Sequence, residues 1–204
     1  MFPWKGPGAM DSNVSVSGGI LVTSGSRLEI ENDSFISGGI VVQSGAELDI
    51  GHTFFSNVPT GSARSFISGG IKASNPYDID VYNAEVGGGI LVDGVIAGFP
   101  TFCGSTISGG LTLKHIDTGA YIGDPNIGFP ALCAGNFIDT SVFVIDSPAL
   151  VEIERNTISG SVNLQNSRVE VGGNTIGGSL KCINTVFVPS EEGPNTVFGS
   201  TTCP

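Results

Sequence analysis

Five acidic residues in this sequence each lie between two apolar residues, as Glu29 does between Leu28 and Ile30. The five acids are Glu29, Asp49, Asp80, Glu152 and Glu170. In a β-strand, the middle residue of such a triplet points away from the face that its two neighbours bury. If the five segments lie side by side in a sheet, their carboxylates form a row in which like charges raise one another's pKa.

A row of carboxylates supports three interpretations. Glu29, Asp49 and Asp80 come from consecutive segments and are candidate ligands for Ca²⁺, a cation that prefers oxygen ligands. The same three residues and Asp117 are candidate catalytic acids, because a retaining glycoside hydrolase needs two carboxyl groups about 5–5.5 Å apart. The third interpretation is a hydrated acidic face that keeps the protein soluble. No cofactor other than Ca²⁺ is indicated.

One short stretch, LKHIDTGAYIGD, has the highest density of side chains that bind ligands. Its candidates are Lys114, His115, Asp117, Tyr121 and Asp124. The stretch directly precedes an insertion in the repeat pattern, so that we expect it to border a groove beside the inserted loop. A single His in such a stretch is also typical of an ordinary surface residue.

The segments that carry these residues belong to an internal repeat. Each repeat is anchored by an aliphatic residue after a turn, and the anchors are Ile20, Ile40, Ile71, Ile90, Leu111, Val142, Val162 and Leu180. Successive anchors are 20, 31, 19, 21, 31, 20 and 18 residues apart, so that the two long intervals contain about eleven inserted residues. The residue four positions before each anchor is β-branched, and the residue two positions after it is small or apolar.

The pattern within each repeat predicts a corner followed by a strand. Most anchors follow two glycines, and glycine permits a sharp corner at positive φ. The alternation of apolar residues after the corner is typical of a half-buried strand. Because one repeat cannot bury its apolar face alone, the repeats must stack, with equivalent residues about 4.8 Å apart.

We therefore predict an all-β, single-domain parallel β-solenoid of about eight coils, with roughly 20 residues per coil and two inserted loops. The pattern resembles that of the right-handed parallel β-helix over residues 13–187. Asn136, Asn156 and Asn174 lie six positions before their anchors and are predicted to form a ladder of side-chain amides. A β-sandwich is the alternative, but it does not explain why the repeats match position by position.

The remaining segments depart from the repeat. Residues 1–12 share no periodicity with it and are interpreted as a tag or linker remnant, with a native tail as the alternative. Residues 188–204 are predicted to be a tail that caps the last coil. The insertions at 56–66 and 124–135 are predicted either to cover a face of the solenoid or to contact a partner.

The four cysteines are Cys103, Cys133, Cys182 and Cys203. Cys103 and Cys133 lie eight and nine residues before successive anchors, in the similar sequences GFPTFC and GFPALC, and we expect them to pair on adjacent coils. Cys182 and Cys203 would then join the tail to the last coil. Buried free thiols are the alternative. Disulfides are typical of proteins exported to an oxidising environment.

The composition limits the partners. The chain has 204 residues, a net charge of −11 and only eight Lys and Arg, so that nucleic-acid phosphates and anionic membrane surfaces would be repelled. No apolar run reaches the about 18 residues that a membrane span needs. We therefore expect neither nucleic-acid binding nor membrane insertion.

Two resemblances bear on function. The C-terminal sequences NTIGGSLKCINT and NTVFGSTTC are similar to a terminal motif of secreted bacterial repeat proteins of unassigned role, and this resemblance implies export. The predicted architecture also resembles that of β-helix glycanases and lyases, but the chain contains no pattern that matches their catalytic motifs. No catalytic residue is therefore transferred from those enzymes.

The sequence favours a secreted or cell-surface protein that acts by binding and not by catalysis: an adhesin-like, glycan-binding or assembly module. Its expected partner is a polysaccharide or a surface protein. One alternative is a polysaccharide-degrading hydrolase or lyase that uses the acids, and another is a purely structural protein. Leu21, Val41, Leu91 and Phe143 should point outward one position after their anchors, and this apolar strip is a candidate homo-oligomer contact.

Overall fold

The computed structural model describes residues 13–31, 33–51, 64–123 and 135–203, together with the backbone of residues 2–4 and 8–10. All the secondary structure in these residues is β-structure, in three parallel sheets of nine strands each. Successive strands of the chain pass from sheet to sheet, and each strand pairs with its equivalent one coil away. The predicted parallel β-solenoid of about eight turns and about 20 residues per coil is confirmed.

The three sheets are named A, B and C. Sheet A contains Phe2–Trp4, Ile20–Val22, Ile40–Val42, Ile71–Ser74, Ile90–Asp93, Leu111–Lys114, Val142–Ile145, Val162–Gln165 and Leu180–Ile183. Sheet B contains Gly8–Met10, Arg27–Ile30, Glu47–Ile50, Asp78–Tyr82, Thr101–Cys103, Ala120–Gly123, Leu150–Glu154, Arg168–Gly172 and Val186–Val188. Sheet C contains Ser15–Val16, Phe35–Ile36, Ser65–Ile67, Ala84–Val86, Thr106–Ile107, Phe137–Ile138, Thr157–Ile158, Thr175–Ile176 and Thr196–Val197.

The core is a set of aliphatic rows that run along the inside of the coil. The eight anchors pair directly with one another in sheet A, beginning with Ile20 opposite Ile40. The β-branched residues four positions before them pair in the same way in sheet C, as Ile36 does with Ile67. Burial of each such side chain stabilises the fold by about 1.5–3 kcal/mol.

The glycine corners have a different physical cause from the one that the sequence predicts. Gly18 has a φ of 110°, but Gly39, Gly69 and Gly109 are outside the positive-φ region. A Cβ on Gly69 would lie 2.5 Å from the backbone nitrogen of Gly39. The prediction of positive φ is therefore wrong for these three corners, where glycine is required because the backbones of stacked coils approach too closely for a side chain.

The predicted asparagine ladder is confirmed and is one residue longer than expected. The Oδ1 atom of Asn156 accepts hydrogen bonds from the backbone nitrogen of Asn136 at 2.9 Å and from its Nδ2 at 3.0 Å. Asn174 accepts the same pair from Asn156, and Asn195 accepts it from Asn174. The ladder satisfies polar groups that would otherwise be buried without partners, because Asn136, Asn156 and Asn174 are all buried.

Both ends of the chain continue the coil pattern. Phe2–Trp4 pairs with Ile20–Val22, and Gly8–Met10 pairs with Leu28–Ile30, so that strand pairing extends into the segment set aside as a tag or linker. At the other end, Thr196–Val197 pairs with Thr175–Ile176 in sheet C. Residues 195–203 therefore form part of a ninth coil. Their sequence repeats the Asn-Thr-apolar pattern of the earlier corners.

A disulfide closes this ninth coil onto the eighth. Leu180 bridges to Thr201 in parallel register, which places Cys203 beside Cys182, and the two form a disulfide with a Cα–Cα distance of 5.0 Å. This predicted pairing is confirmed. Cys103 is buried at the end of a sheet B strand, whereas Cys133 lies outside the described residues, so that their pairing stays a prediction. No helix in the described residues is long and apolar enough to cross a membrane.

Candidate functional site

The acids predicted from the sequence form one row on sheet B. Glu29, Asp49 and Asp80 are directly opposite one another on adjacent strands, and Glu152 is opposite Glu170 further along the same row. Thr101 and Tyr121 separate the two acidic groups. The predicted stacking of the carboxylates is therefore present.

The row is less hydrated than an outward-facing stripe would be. Asp49 is 5% exposed and Asp80 is 9% exposed. Arg27 contacts Asp49 through two nitrogens, with Nε and Nη2 at 2.9 and 2.7 Å from Oδ2. Its Nε also lies 3.3 Å from Oε1 of Glu47. A guanidinium group thus offsets the charge at the centre of the first acidic group.

Asp80 is the most strongly perturbed acid in this group. Its burial, together with the nearby carboxylates of Asp78 and Asp49, raises its pKa to about 8. The Oδ1 atom is buried without a hydrogen-bond partner. Burial also raises the pKa of Tyr82, and Asp80 adds to that effect. Burial therefore favours the neutral form of Asp80, which lies opposite an Asp49 that contacts the Arg27 guanidinium.

Glu154, two residues after Glu152 on the same strand of sheet B, contacts the segment around Ser190. Glu154 is 2% exposed, and its Oε1 accepts a hydrogen bond of 2.9 Å from Oγ of Ser190. Burial raises the pKa of Glu154 to about 7, with Glu170 and Glu152 adding to the increase. Arg155 forms an ion pair with Glu192 beside this contact. The Ser190–Glu154 and Arg155–Glu192 contacts link the segment around Ser190 to the neighbouring coils.

The predicted Ca²⁺ site at Glu29, Asp49 and Asp80 stays a prediction. Within the part of the chain that the structure describes, no group of three or more His, Cys, Asp or Glu side chains is placed to hold a metal ion. Glu29, Asp49 and Asp80 share a row, but the cation that contacts Asp49 is Arg27.

The ligand-binding candidates of the stretch LKHIDTGAYIGD are divided between two faces. Lys114 ends a strand of sheet A, and His115 follows it with Nδ1 at 2.6 Å from Oδ1 of Asp93. Asp117 is exposed in the turn beyond, and Tyr121 belongs to sheet B, where its ring centroid lies 6.4 Å from that of Phe99. Asp124 lies outside the described residues, as do most of both insertions. The structure does not bring these candidates into one cluster.

The apolar strip on sheet A is interrupted. Lys72 lies between Val41 and Leu91 in the strand register, and Thr112 lies between Leu91 and Phe143. Leu21, Val41 and Leu91 are half-buried, and Phe143 is 37% exposed. The role of this strip in self-association stays a prediction.

The outer face of sheet C contains a feature that the sequence analysis missed. Its central row consists of Ser15, Phe35, Phe66, Glu85, Thr106, Phe137, Thr157, Thr175 and Thr196. These residues lie five positions before the anchors, and the signal was the predominance of aromatic and hydroxyl residues at that position. The first eight fall in the eight repeats found from the sequence, and Thr196 falls in the ninth coil.

Two phenylalanines of this row lie on either side of two polar residues, Glu85 and Thr106. One face of the Phe66 ring packs on Phe35, with centroids 5.3 Å apart and planes 6° from parallel. Its other side is directed toward the coils of Glu85 and Thr106, and Phe137 follows them. Phe66 and Phe137 are thus three strand spacings apart, or about 14 Å. Phe137 is 43% exposed.

Arg64 contacts both of these polar residues. Its Nη1 donates a hydrogen bond of 3.0 Å to Oγ1 of Thr106 and lies 4.0 Å from Oε1 of Glu85. The sequence contains no local signal for this arrangement, because Arg64 reaches over one coil to contact the next. We call the site formed by Arg64, Phe66, Glu85, Thr106 and Phe137 the sheet C notch. It presents hydrogen-bonding groups between two aromatic rings.

The function proposed for the chain depends on the chemistry of its own side chains. No protein-family model, curated protein or solved structure matches the chain.

Proposed function

We propose that this protein is an extracellular binding module, without catalysis, that holds a saccharide chain in the sheet C notch. The observation that carries the proposal is the placement of Phe66 and Phe137 on either side of the polar groups of Arg64, Glu85 and Thr106. Ligand sites characteristically combine apolar or aromatic walls with a few fixed polar groups.

The chemistry of the notch suits a sugar. A pyranose ring has apolar C–H faces and a rim of hydroxyl groups, so that it can contact phenyl rings and make hydrogen bonds at the same time. Thr106 can donate or accept, Glu85 accepts and Arg64 donates, which matches hydroxyl groups of either orientation. Beyond Phe137, Thr157 and Thr175 continue the row as exposed hydroxyl residues.

The extracellular setting rests on the disulfide between Cys182 and Cys203, since such bonds persist in oxidising compartments. The similarity of the terminal sequences to those of secreted bacterial repeat proteins supports the same setting. We also propose that the coil is right-handed, because the repeat pattern resembles that of the right-handed parallel β-helix.

The test is retention of the protein in native gels that contain soluble polysaccharides, including β-1,4-glucan, β-1,3-glucan, xylan and galactomannan. Phe137→Ala should weaken retention by at least about tenfold, equivalent to about 1.4 kcal/mol. Phe143→Ala is the matched control, because it removes a similarly exposed ring from sheet A. Equal effects of the two variants, with both still folded by circular dichroism, would contradict a site on sheet C.

Cleavage of a polysaccharide is a second candidate, favoured by the pairing of Asp80 with Asp49. A retaining hydrolase uses two neighbouring carboxyl groups, one of them with a raised pKa, and Asp80 lies opposite Asp49 with its pKa raised by burial. The burial of both groups favours binding over cleavage, because a substrate must reach the acid. Release of reducing ends that Asp80→Asn abolishes would decide for the enzyme.

A further inference from the structure

We infer that the sheet C notch accepts an uncharged saccharide chain, and that the pairing of Arg64 with Glu85 determines this preference. The inference rests on the proposed function and specifies the chemical class of its ligand. Two independent observations lead to it: the distribution of acids among the three sheets and the internal charge balance of the notch.

The acids of the described strands are concentrated away from sheet C. The strands of sheet B contain Glu29, Glu47, Asp49, Asp78, Asp80, Glu152, Glu154 and Glu170. The described strands of sheets A and C contain one acid each, Asp93 and Glu85. In a protein with a net charge of −11, the acids are thus concentrated on sheet B, and the outer row of sheet C consists almost entirely of neutral aromatic and hydroxyl residues.

The charges within the notch offset each other. Arg64 is the one basic residue of the site, and its Nη1 lies 4.0 Å from Oε1 of Glu85 while it donates to Thr106. A polyanionic chain would therefore meet no unpaired cation in the notch and would be repelled by the remainder of the protein. A polycation would be attracted mainly to the acids of sheet B, outside the notch.

A neutral chain can bind in the notch without any attraction between net charges. Its C–H faces can contact Phe66 and Phe137, and its hydroxyls can replace the water on Thr106 and on the outer edges of the Arg64–Glu85 pair. Binding of this kind should depend little on ionic strength, because salt screens mainly unpaired charges. This expectation separates a neutral ligand from a charged one.

The experiment compares retention by two polymers with the same β-1,4-glucan backbone, hydroxyethyl cellulose and carboxymethyl cellulose. The protein should bind the neutral polymer with an affinity that changes less than about twofold between 50 and 500 mM NaCl. It should bind the anionic polymer at least about tenfold more weakly at 50 mM NaCl. The same comparison is extended to neutral and carboxymethylated β-1,3-glucan.

The decisive variant is Glu85→Gln, which leaves Arg64 without its carboxylate partner. Retention by the anionic polymer should rise at least about fivefold, and this gain should disappear in high salt. Glu191→Gln is the control, because it removes the same charge from an exposed position far along the chain from the notch. Its effect on either polymer should stay below about twofold.

The outcomes separate the inference from the proposed function. Retention by none of the polymers would contradict the proposed function itself. Retention that Phe137→Ala abolishes, but that occurs only with the anionic polymers, would overturn the neutral-ligand inference and leave the site in place. Equal gains for Glu85→Gln and Glu191→Gln would show that net charge, and not the pair in the notch, sets the preference.

Discussion

Arg27 contacts Asp49 with both Nε and Nη2, at 2.9 and 2.7 Å from the same Oδ2 atom. This contact places a cation of the protein where the sequence suggested a bound Ca²⁺. Because Asp49 is almost fully buried, the pair compensates a charge that would otherwise be costly to bury.

We predict that Arg27→Gln lowers the free energy of unfolding by about 1–3 kcal/mol, because it leaves the Asp49 carboxylate buried without its charged partner. The double variant Arg27→Gln/Asp49→Asn should recover most of that loss, since it removes the carboxylate as well. Urea unfolding of the four proteins measures the coupling. Additive losses would show that the contact contributes no coupling energy.

The same contact leads to a prediction about Ca²⁺. If Arg27 is the cation of the row, Ca²⁺ should raise the melting temperature no more than NaCl does at equal ionic strength. A specific Ca²⁺ site would instead give a stabilisation that grows with the Ca²⁺ concentration as RT ln(1 + [L]/Kd) and that NaCl does not reproduce. A shift for Ca²⁺ that exceeds the NaCl shift, and that Asp49→Asn removes, would restore the Ca²⁺ interpretation.

The repeat could be predicted from the sequence because its constraints are local and periodic. Ile20 and Ile40 occupy the same position in consecutive repeats, and stacking of like residues then determines the register of every sheet. The Asn156 ladder follows from the same periodicity. The reason for the glycines was harder to infer, because the clash that excludes a side chain at Gly69 comes from the neighbouring coil.

The candidate site was not predictable to the same degree. Alternation places Asp49 and Asp80 outside the coil, but it says nothing about what covers them, and both are buried. The notch depends on Arg64 extending across a coil to Thr106, which is a side-chain conformation and not a sequence pattern. Its aromatic border did leave a signal, in the row that contains Phe66 and Phe137.

The asparagine ladder makes a second prediction about stability. Asn156 lies at its centre, where its Oδ1 accepts from Asn136 and its Nδ2 donates to the backbone oxygen of Ile122 at 2.8 Å. Asn156→Ala should therefore cost about 2–4 kcal/mol, since it leaves several buried polar groups without partners. Asn163→Ala is the control, because that asparagine lies half-buried on the outer face of a sheet A strand and its loss should cost less than about 1 kcal/mol. Similar losses for both would contradict the buried ladder.

The disulfide makes a third prediction. Cys182 and Cys203 enclose a separation of 21 residues, and closing such a loop contributes about 3 kcal/mol in the chain-entropy model. The variant Cys182→Ser/Cys203→Ser should lose about that amount and should exchange amide hydrogens faster in residues 196–203 than in the central coils.

Peptide mapping without reductant should also recover Cys103 joined to Cys133. A peptide that joins Cys103 to Cys182 would contradict the register.

The two raised carboxyl pKa values determine how stability should change with pH. Asp80 has a pKa of about 8 and Glu154 a pKa of about 7 in the folded protein. The same carboxyl groups have pKa values of about 4 in the unfolded chain. Between about pH 4 and pH 8 the folded state therefore binds more protons than the unfolded state, so that stability falls as the pH rises. The decline should end once both groups are ionised in the folded protein.

Urea unfolding at about pH 5, 7 and 9 tests this dependence. The free energy of unfolding should decrease from pH 5 to pH 9, and Asp80→Asn and Glu154→Gln should each flatten the decrease, because an amide keeps the neutral form at every pH. Glu191→Gln, at an exposed position, should leave the profile unchanged. A free energy that stays constant or rises between about pH 5 and pH 9 would contradict the burial of uncharged carboxyl groups at Asp80 and Glu154, because carboxyl groups with ordinary or lowered pKa values are ionised in both states over this range and give no decline.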